Sequence, residues 1–493
     1  MKKIFYFLLF ILNSHLLFAQ APNIQWQVTL GGSEFDYAQD IQKTTDGGYI
    51  MVGFSNSTDN DITGNHGGED CWVVKLNSSG AVQWQKSFGG SSDDRGLSIK
   101  QTSDGGYIIS GSTFSIDGDV TENQGASDYW ILKLDSLGNM QWQKTYGNSL
   151  EDYARDIWQT ADGGYIVAGD SASDIWILKL NSLGNLQWQK TLGGSGQESL
   201  KGIQETADNG FIISCWSNSN NGDVTGNHGG DDFWIVKLTS SGNIQWQKSL
   251  GGSGTDYAMD LNQTADGGYI IAGSSNSING DVTQNYGDSD YWIVKTDSSG
   301  NIQWQKSYGG SNEDIAMSIR QTSDGGYIVA GYSNEYPWSN LHGTNYWIIK
   351  LNSSGTLQWE NTLGGAARDE PVGIHETSDG GFIIGGYTAS SGNGKVDYWA
   401  VKLAYPTTLG ISEVKNNLIS FYPNPARDFV YLNSLPGETT ISLTDISGKK
   451  LFSQKYNETK VSVPVNQLIN GTYVLQAEHK GKIILSEKLI IKK

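Results

Sequence analysis

The chain has 493 residues, a net charge of −19, and 63 glycines against only 8 prolines. That length supports a large core, and so much glycine suits many tight turns rather than long helices, so an all-β fold is expected. The acidic balance argues against a nucleic-acid partner, which would need clustered Lys and Arg, and two cysteines, Cys71 and Cys215, are too few for a disulfide framework.

Residues 1–19 have the pattern of a signal peptide: Met1-Lys2-Lys3, an apolar run over 4–12, and a small-residue stop at Ala19. No second apolar run of about 18 residues follows, so no membrane span is expected. Residues 20–405 are built from a unit of about 46 to 58 residues whose turn recurs at Asp46, Asp104, Asp162, Asp208, Asp266, Asp324 and Asp379. Each of these aspartates is followed by Gly-Gly or Asn-Gly and then Tyr or Phe, a hairpin composition. Each unit divides into four strands, a to d; in repeat 5 they cover 257–263, 269–274, 291–296 and 301–307. Strands b and c are short and rich in Ile, Val, Tyr and Trp, as strands covered on both faces should be. Seven such units predict a seven-bladed β-propeller.

The phase of the repeat predicts how the ring closes. Asn23-Ile24-Gln25-Trp26-Gln27 matches Asn301-Ile302-Gln303-Trp304-Gln305 and is a strand d with nothing before it, whereas the last unit ends after strand c at 398–403. Pairing the orphan strand with the incomplete unit removes the open edges of a linear array, so closure by the N-terminal strand is expected. Cys71 then lies three blades from Cys215, too far for a disulfide, and both thiols should be free. Fourteen tryptophans repeat in strands c and d and are assigned to packing; Trp158, Trp216 and Trp338 break the symmetry.

Candidate site residues follow from the same alignment. An acid precedes strand a in every unit: Asp36, Asp94, Asp152, Glu198, Asp256, Asp314 and Asp369. These acids either draw a cation to the channel mouth or accept hydrogen bonds in their own glycine-rich turns, and the sevenfold repetition favours the turn. The next residue varies between units, and Tyr37, Arg95, Tyr153 and Tyr257, with Arg155 beyond, form a candidate ligand-binding mouth. Trp338, in the loop of repeat 6, is the competing contact. The b–c loops of repeats 1, 2, 4 and 5 place Asp59 and Asp61, Asp117 and Asp119, Asp223, and Asp281 at alternate positions. Calcium is the one cofactor this spacing would admit, although turn chemistry explains it as well. The Thr-x-Asp-x-Gly turn faintly resembles the Asp box of sialidase propellers but lacks its far aromatic, and His66 and His228 have no zinc spacing.

After a linker at 406–414 the composition changes. Residues 415–493 contain Tyr422-Pro423-Asn424-Pro425, then Asp445 and Gly448, then Gly471 and Tyr473, in that order. The ordered set resembles the type IX secretion C-terminal sorting domain of Bacteroidetes-type bacteria; the strand pattern itself predicts a small β-sandwich. The resemblance implies export by the type IX machinery, with the cargo secreted or attached to the outer cell surface, often through lipopolysaccharide. The expected function is a non-catalytic binding or structural propeller, monomeric, engaging an extracellular glycan or protein. The alternative is a polysaccharide-active, glycoside hydrolase-like enzyme, which the scattered carboxylates do not single out.

Overall fold

The computed structural model describes residues 21–334, 343–405, 419–445, 449–480 and 482–493. The expected signal peptide, the linker, Trp338 and Gly448 lie outside them. The described residues form strands and turns with no helix, in two compact units, Met1–Pro406 and Thr407–Lys493.

The first unit contains seven four-stranded sheets, each antiparallel throughout. Six use consecutive strands; in repeat 5 these are Asp256–Gln263, Tyr269–Ser275, Asp290–Thr296 and Ile302–Tyr308. The seventh sheet combines Asp369–Glu376, Phe382–Thr388 and Asp397–Leu403 with Ile24–Leu30, so that Thr29 stands opposite Trp399 and Leu30 opposite Tyr398. Trp26 packs 5.8 Å from Tyr49, the separation also found between Trp304 and Tyr327 inside the array. The first strand thus does what every internal strand d does. Repeats 7 and 1 also touch directly: His375 Nε2 donates to the Ile41 carbonyl at 2.8 Å, and Tyr398 Oη to that of Trp72 at 3.0 Å.

Strands b and c of repeat 5 are buried along their whole length, which is why apolar residues follow one another through the middle of each. Between repeats, strand-c aromatics pack against one another with their rings tilted, Trp292 4.6 Å from Phe233 and Trp347 4.6 Å from Tyr291. The repeated tryptophans are therefore packing residues. Cys71 and Cys215 are buried and unbridged.

At the a–b turn Asp266 Oδ1 accepts from Gly268 N at 3.0 Å, and Gly267 takes φ +82°, a left-handed conformation that Asn209 adopts at the matching place in repeat 4. The buried Lys295 reaches Asp266 Oδ2 at 2.9 Å and the Thr296 carbonyl at 2.8 Å. The same clasp joins Lys75 to Asp46, Lys133 to Asp104, Lys179 to Asp162, Lys237 to Asp208, Lys350 to Asp324 and Lys402 to Asp379. This gives the Thr-x-Asp-x-Gly turn a structural task in every repeat.

In the second unit Ser420–Tyr422, Phe429–Asn433 and Lys460–Pro464 form a three-stranded sheet. Lys450–Tyr456, Thr439–Asp445, Gly471–His479 and Lys482–Ile491 form a four-stranded one. Val430, Val463, Ile441, Leu443, Leu475 and Leu489 belong to one apolar cluster drawing on both sheets.

Candidate binding site along the inner strands

All seven strands a contribute to one cavity of about 130 Å³, so the residues of this strand decide what the repeats surround. The acid that opens each strand is buried rather than displayed. Asp256 Oδ2 accepts from Gly252 N at 2.8 Å and Ser277 Oγ at 2.9 Å, and Asp94 Oδ2 from Gly90 N and Ser115 Oγ, both at 2.7 Å. Burial pushes the carboxyls of Asp36, Asp94 and Asp256 up, against the bonds they accept from serine and threonine hydroxyls and glycine N–H groups.

The b–c loop aspartates are backbone anchors. Asp59 Oδ1 accepts from Ser33 N at 2.7 Å and Asp61 Oδ2 from Gly31 N at 3.2 Å. Asp117 and Asp119 hold Ser91 N and Gly89 N in the same way, at 2.7 and 3.2 Å. Asp223 and Asp281 hold Gly193 N and Gly251 N, at 3.4 and 3.2 Å. Each ties its loop to the turn that enters strand a. Among the described residues no group of three or more His, Cys, Asp or Glu is arranged to hold a metal. His66 and His228 bond Asp70 and Asp232 through Nδ1, each at 2.7 Å.

The second residue of strand a is more open. Tyr37, Tyr153 and Tyr257 are half-buried, and each meets an aromatic that the strand-a column alone does not reveal. Tyr37 lies edge-on to Tyr387 at 5.0 Å, Tyr153 is 6.4 Å from Phe114, and Tyr257 is edge-on to Trp216 at 5.3 Å. Arg95 lies over Phe54, 5.2 Å from the ring centre, and is paired with Glu69; Arg155 lies over Tyr153 at 5.3 Å and bonds Asp170 Oδ2 through Nε at 2.8 Å. The available signal was a second variable column, in strand b, whose residues pair with the first: Phe54 with Tyr37, Asp170 with Tyr153, Tyr387 with Glu370. Trp158, singled out in the sequence, lines the cavity itself.

Deeper in the cavity the repeats alternate. Asp40, Asp156 and Asp260 stand in repeats 1, 3 and 5, where repeats 2, 4 and 6 have Ser98, Gly202 and Ser318. Each aspartate reaches the strand a of the following repeat: Asp40 accepts from Ile99 N at 3.0 Å, Asp156 from Ile203 N at 3.0 Å, and Asp260 from Ile319 N at 2.9 Å. Backbone donors on the inner edge, which have no strand to pair with, are satisfied this way. Lys100 neutralises Asp40 at 2.9 Å and Asp156 at 3.3 Å, and Arg320 pairs with Asp260.

In the second unit Asn424 of the motif holds the last strand in place, and the other motif residues fix their own turns and neighbours. Asn424 Nδ2 donates to the Lys488 carbonyl at 2.7 Å while its Oδ1 accepts from Ile490 N at 2.8 Å. Tyr473 Oη donates to the Ile469 carbonyl at 3.0 Å, Asp445 Oδ1 accepts from Lys449 N at 3.1 Å, and Tyr422 lies 5.6 Å from Tyr431.

Residues 420–492 match the family model of the secretion system C-terminal sorting domain. This segment is a type IX sorting domain, and the protein is secreted and carried to the cell surface. Among the described residues no helix is long and apolar enough to cross a membrane. A stretch of 147 residues is 26% identical to the regulatory protein FlaEY of Caulobacter vibrioides, covering 27% of this chain and 15% of that protein. The surface component PorZ of the type IX secretion system of Porphyromonas gingivalis aligns at 11% identity with a TM-score of 0.42, over 94% of this chain and 61% of that one. A copper-bound fungal alcohol oxidase aligns at 12% identity with a TM-score of 0.46, over 96% of this chain and its own whole length. A protein of unknown function from Dyadobacter fermentans aligns at 13% with a TM-score of 0.43, over 78% and 99%.

Proposed function

We propose that the first unit is a seven-bladed propeller closed by its N-terminal strand, passed to the type IX secretion machinery by a C-terminal β-sandwich, and that it acts outside the cell as a non-catalytic glycan-binding module. The observation that carries the binding role is the half-buried row at the open end of strands a, where Tyr37, Tyr153 and Tyr257 sit against Tyr387, Phe114 and Trp216, with Arg95 and Arg155 among them. Aromatic faces with polar tips bind the C–H faces and hydroxyls of sugar rings, and forked arginine donors complete the set. The acids that open strands a are buried in backbone and hydroxyl bonds, which favours binding over hydrolysis.

A glycan array combined with an assay for released reducing ends, on the same secreted protein, tests both halves. Binding without release is expected, and the variant Tyr153→Ala, Arg155→Ala, Tyr257→Ala should lose it with little change in melting temperature. Normal binding by that variant, with loss in Trp338→Ala, would move the seat to the loop of repeat 6; released sugar would make the protein an enzyme.

A further inference from the structure

One cation in the cavity departs from the pairing of the repeats. In repeats 2 and 6 the positive charge sits seventh in strand a, as Lys100 and Arg320, where it meets the aspartate of the preceding repeat. In repeat 4 that place is Gln204, and the charge stands three residues earlier, at Lys201. Lys201 lines the cavity and makes no ion pair or hydrogen bond among the described residues. Beside it in repeat 3 stands a second cation, Arg155, also on the cavity wall, while the Asp156 of that wall is taken by Ile203 N and Lys100. The carboxylate that acts on Lys201 is Asp170, already engaged by Arg155 Nε at 2.8 Å, Leu200 N at 2.8 Å and Ser199 Oγ at 3.3 Å. Among the described residues Arg155 bonds through Nε alone, which leaves its terminal nitrogens for another acceptor.

Two like charges held together with one committed carboxylate is a costly arrangement that a bound anion would relieve. Burial, and after it the charge of Arg155, pushes the Lys201 ammonium down to about 8, in keeping with a cation short of counter-charge. Around the same level of the cavity stand Leu97, Met259, Met317 and Val372, whose apolar side chains strengthen any charge interaction beside them. The inner backbone edges at Ile99, Ile203 and Ile319 are occupied by Asp40, Asp156 and Asp260, which disfavours a peptide adding as a strand. Trp158 adds an aromatic wall of the kind a sugar ring packs on.

We infer that the cavity is an acidic-glycan seat, in which Lys201 and the free end of Arg155 hold the anionic group of one sugar residue while the rest of the saccharide lies on the aromatic mouth. This rests on the glycan-binding reading and specifies its ligand. Carboxylate and sulfate offer the same oxyanion chemistry, and the probes separate them.

The test is calorimetry on the full secreted chain with trigalacturonate, a sulfated galactose trisaccharide and neutral trigalactose. At least one acidic trisaccharide should bind about tenfold more tightly than the neutral one, a difference of about 1.4 kcal/mol. Lys201→Met should abolish that preference and leave any binding of the neutral sugar unchanged, while Lys201→Arg should keep the preference. Removing an unpaired ammonium should not lower the melting temperature, so loss of preference can be separated from misfolding. No acidic preference, or one that survives Lys201→Met, overturns the inference; neutral glycans bound equally by both proteins would then leave the binding role standing.

Discussion

The two parts of strand a obey different rules. At its end, the turn aspartate and its lysine are the same in all seven repeats, with Asn209 replacing the first glycine of the turn in repeat 4, because every bond of that clasp lies within one repeat. Midway along, the repeats divide into givers and receivers, since Asp40, Asp156 and Asp260 each bond the next strand. A within-repeat device can be copied without limit, whereas in the proposed closed ring alternation between neighbours cannot be completed among an odd number of sheets. Repeat 7 therefore has Gly373 at the alternating position and uses His375 instead, reaching the Ile41 carbonyl of repeat 1. Such junctions are where the copies had to diverge, and the unpaired Lys201 belongs to the same cavity wall.

The junction between repeats 7 and 1 gives the harshest test of this contrast. Deleting residues 21–30 strips Ile24–Leu30 from its partner strand and removes Trp26 from Tyr49. Loss of the aromatic alone costs about 3 kcal/mol, and the strand bonds go with it, so a collapse of the thermal transition is expected. An unchanged melting temperature would break the closure reading.

Next come two lysines that look alike in sequence. Lys100→Met leaves Asp40 and Asp156 without a counter-ion inside the cavity and should cost about 3–5 kcal/mol. Lys295→Met frees Asp266, whose side chain is 55% exposed, so water substitutes and the loss should be about 1 kcal/mol. Equal losses in denaturant titrations would erase the distinction between local and between-repeat bonds.

The smallest effect is on pH dependence. Burial would raise Asp46, Asp104 and Asp266, but bonds from the neighbouring threonine, the clasp lysine and a glycine N–H hold each down to about 2. Their contribution is present above the unfolded value near 3.8 and is lost as pH falls through about 2. Asp232 is pushed up to about 6 by burial, with its His228 bonds opposing, and Asp36 and Asp94 are also raised by burial. Groups raised on folding bind protons more readily in the native state, so they add stability as pH falls through the range between about 6 and 4. His375, which burial pushes down to about 3, works the other way below its ordinary value of 6.5, so it is in a His375→Asn background that the melting temperature should rise modestly from pH 7 to about 5 and fall below about 3. A steady fall from pH 7 downward would contradict the assignment of the buried acids.

The chain pattern by itself determined the four-strand repeat, its boundaries to within a residue in repeat 5, the scaffold role of the repeated tryptophans and the sorting motif. These are legible because they rest on local periodicity and turn chemistry, which every copy spells out again. The matched orphan strand and incomplete repeat were visible too, since phase is a property of the linear order. Only the tertiary structure decided that the acids opening strands a are buried, that the loop aspartates anchor backbone, that Trp216 meets Tyr257, and that Asp40 serves Ile99 while Lys201 is left unpaired. Each depends on which side chains face one another across two strands or two repeats, about 50 residues apart in sequence, and no reading of one copy at a time contains that neighbour.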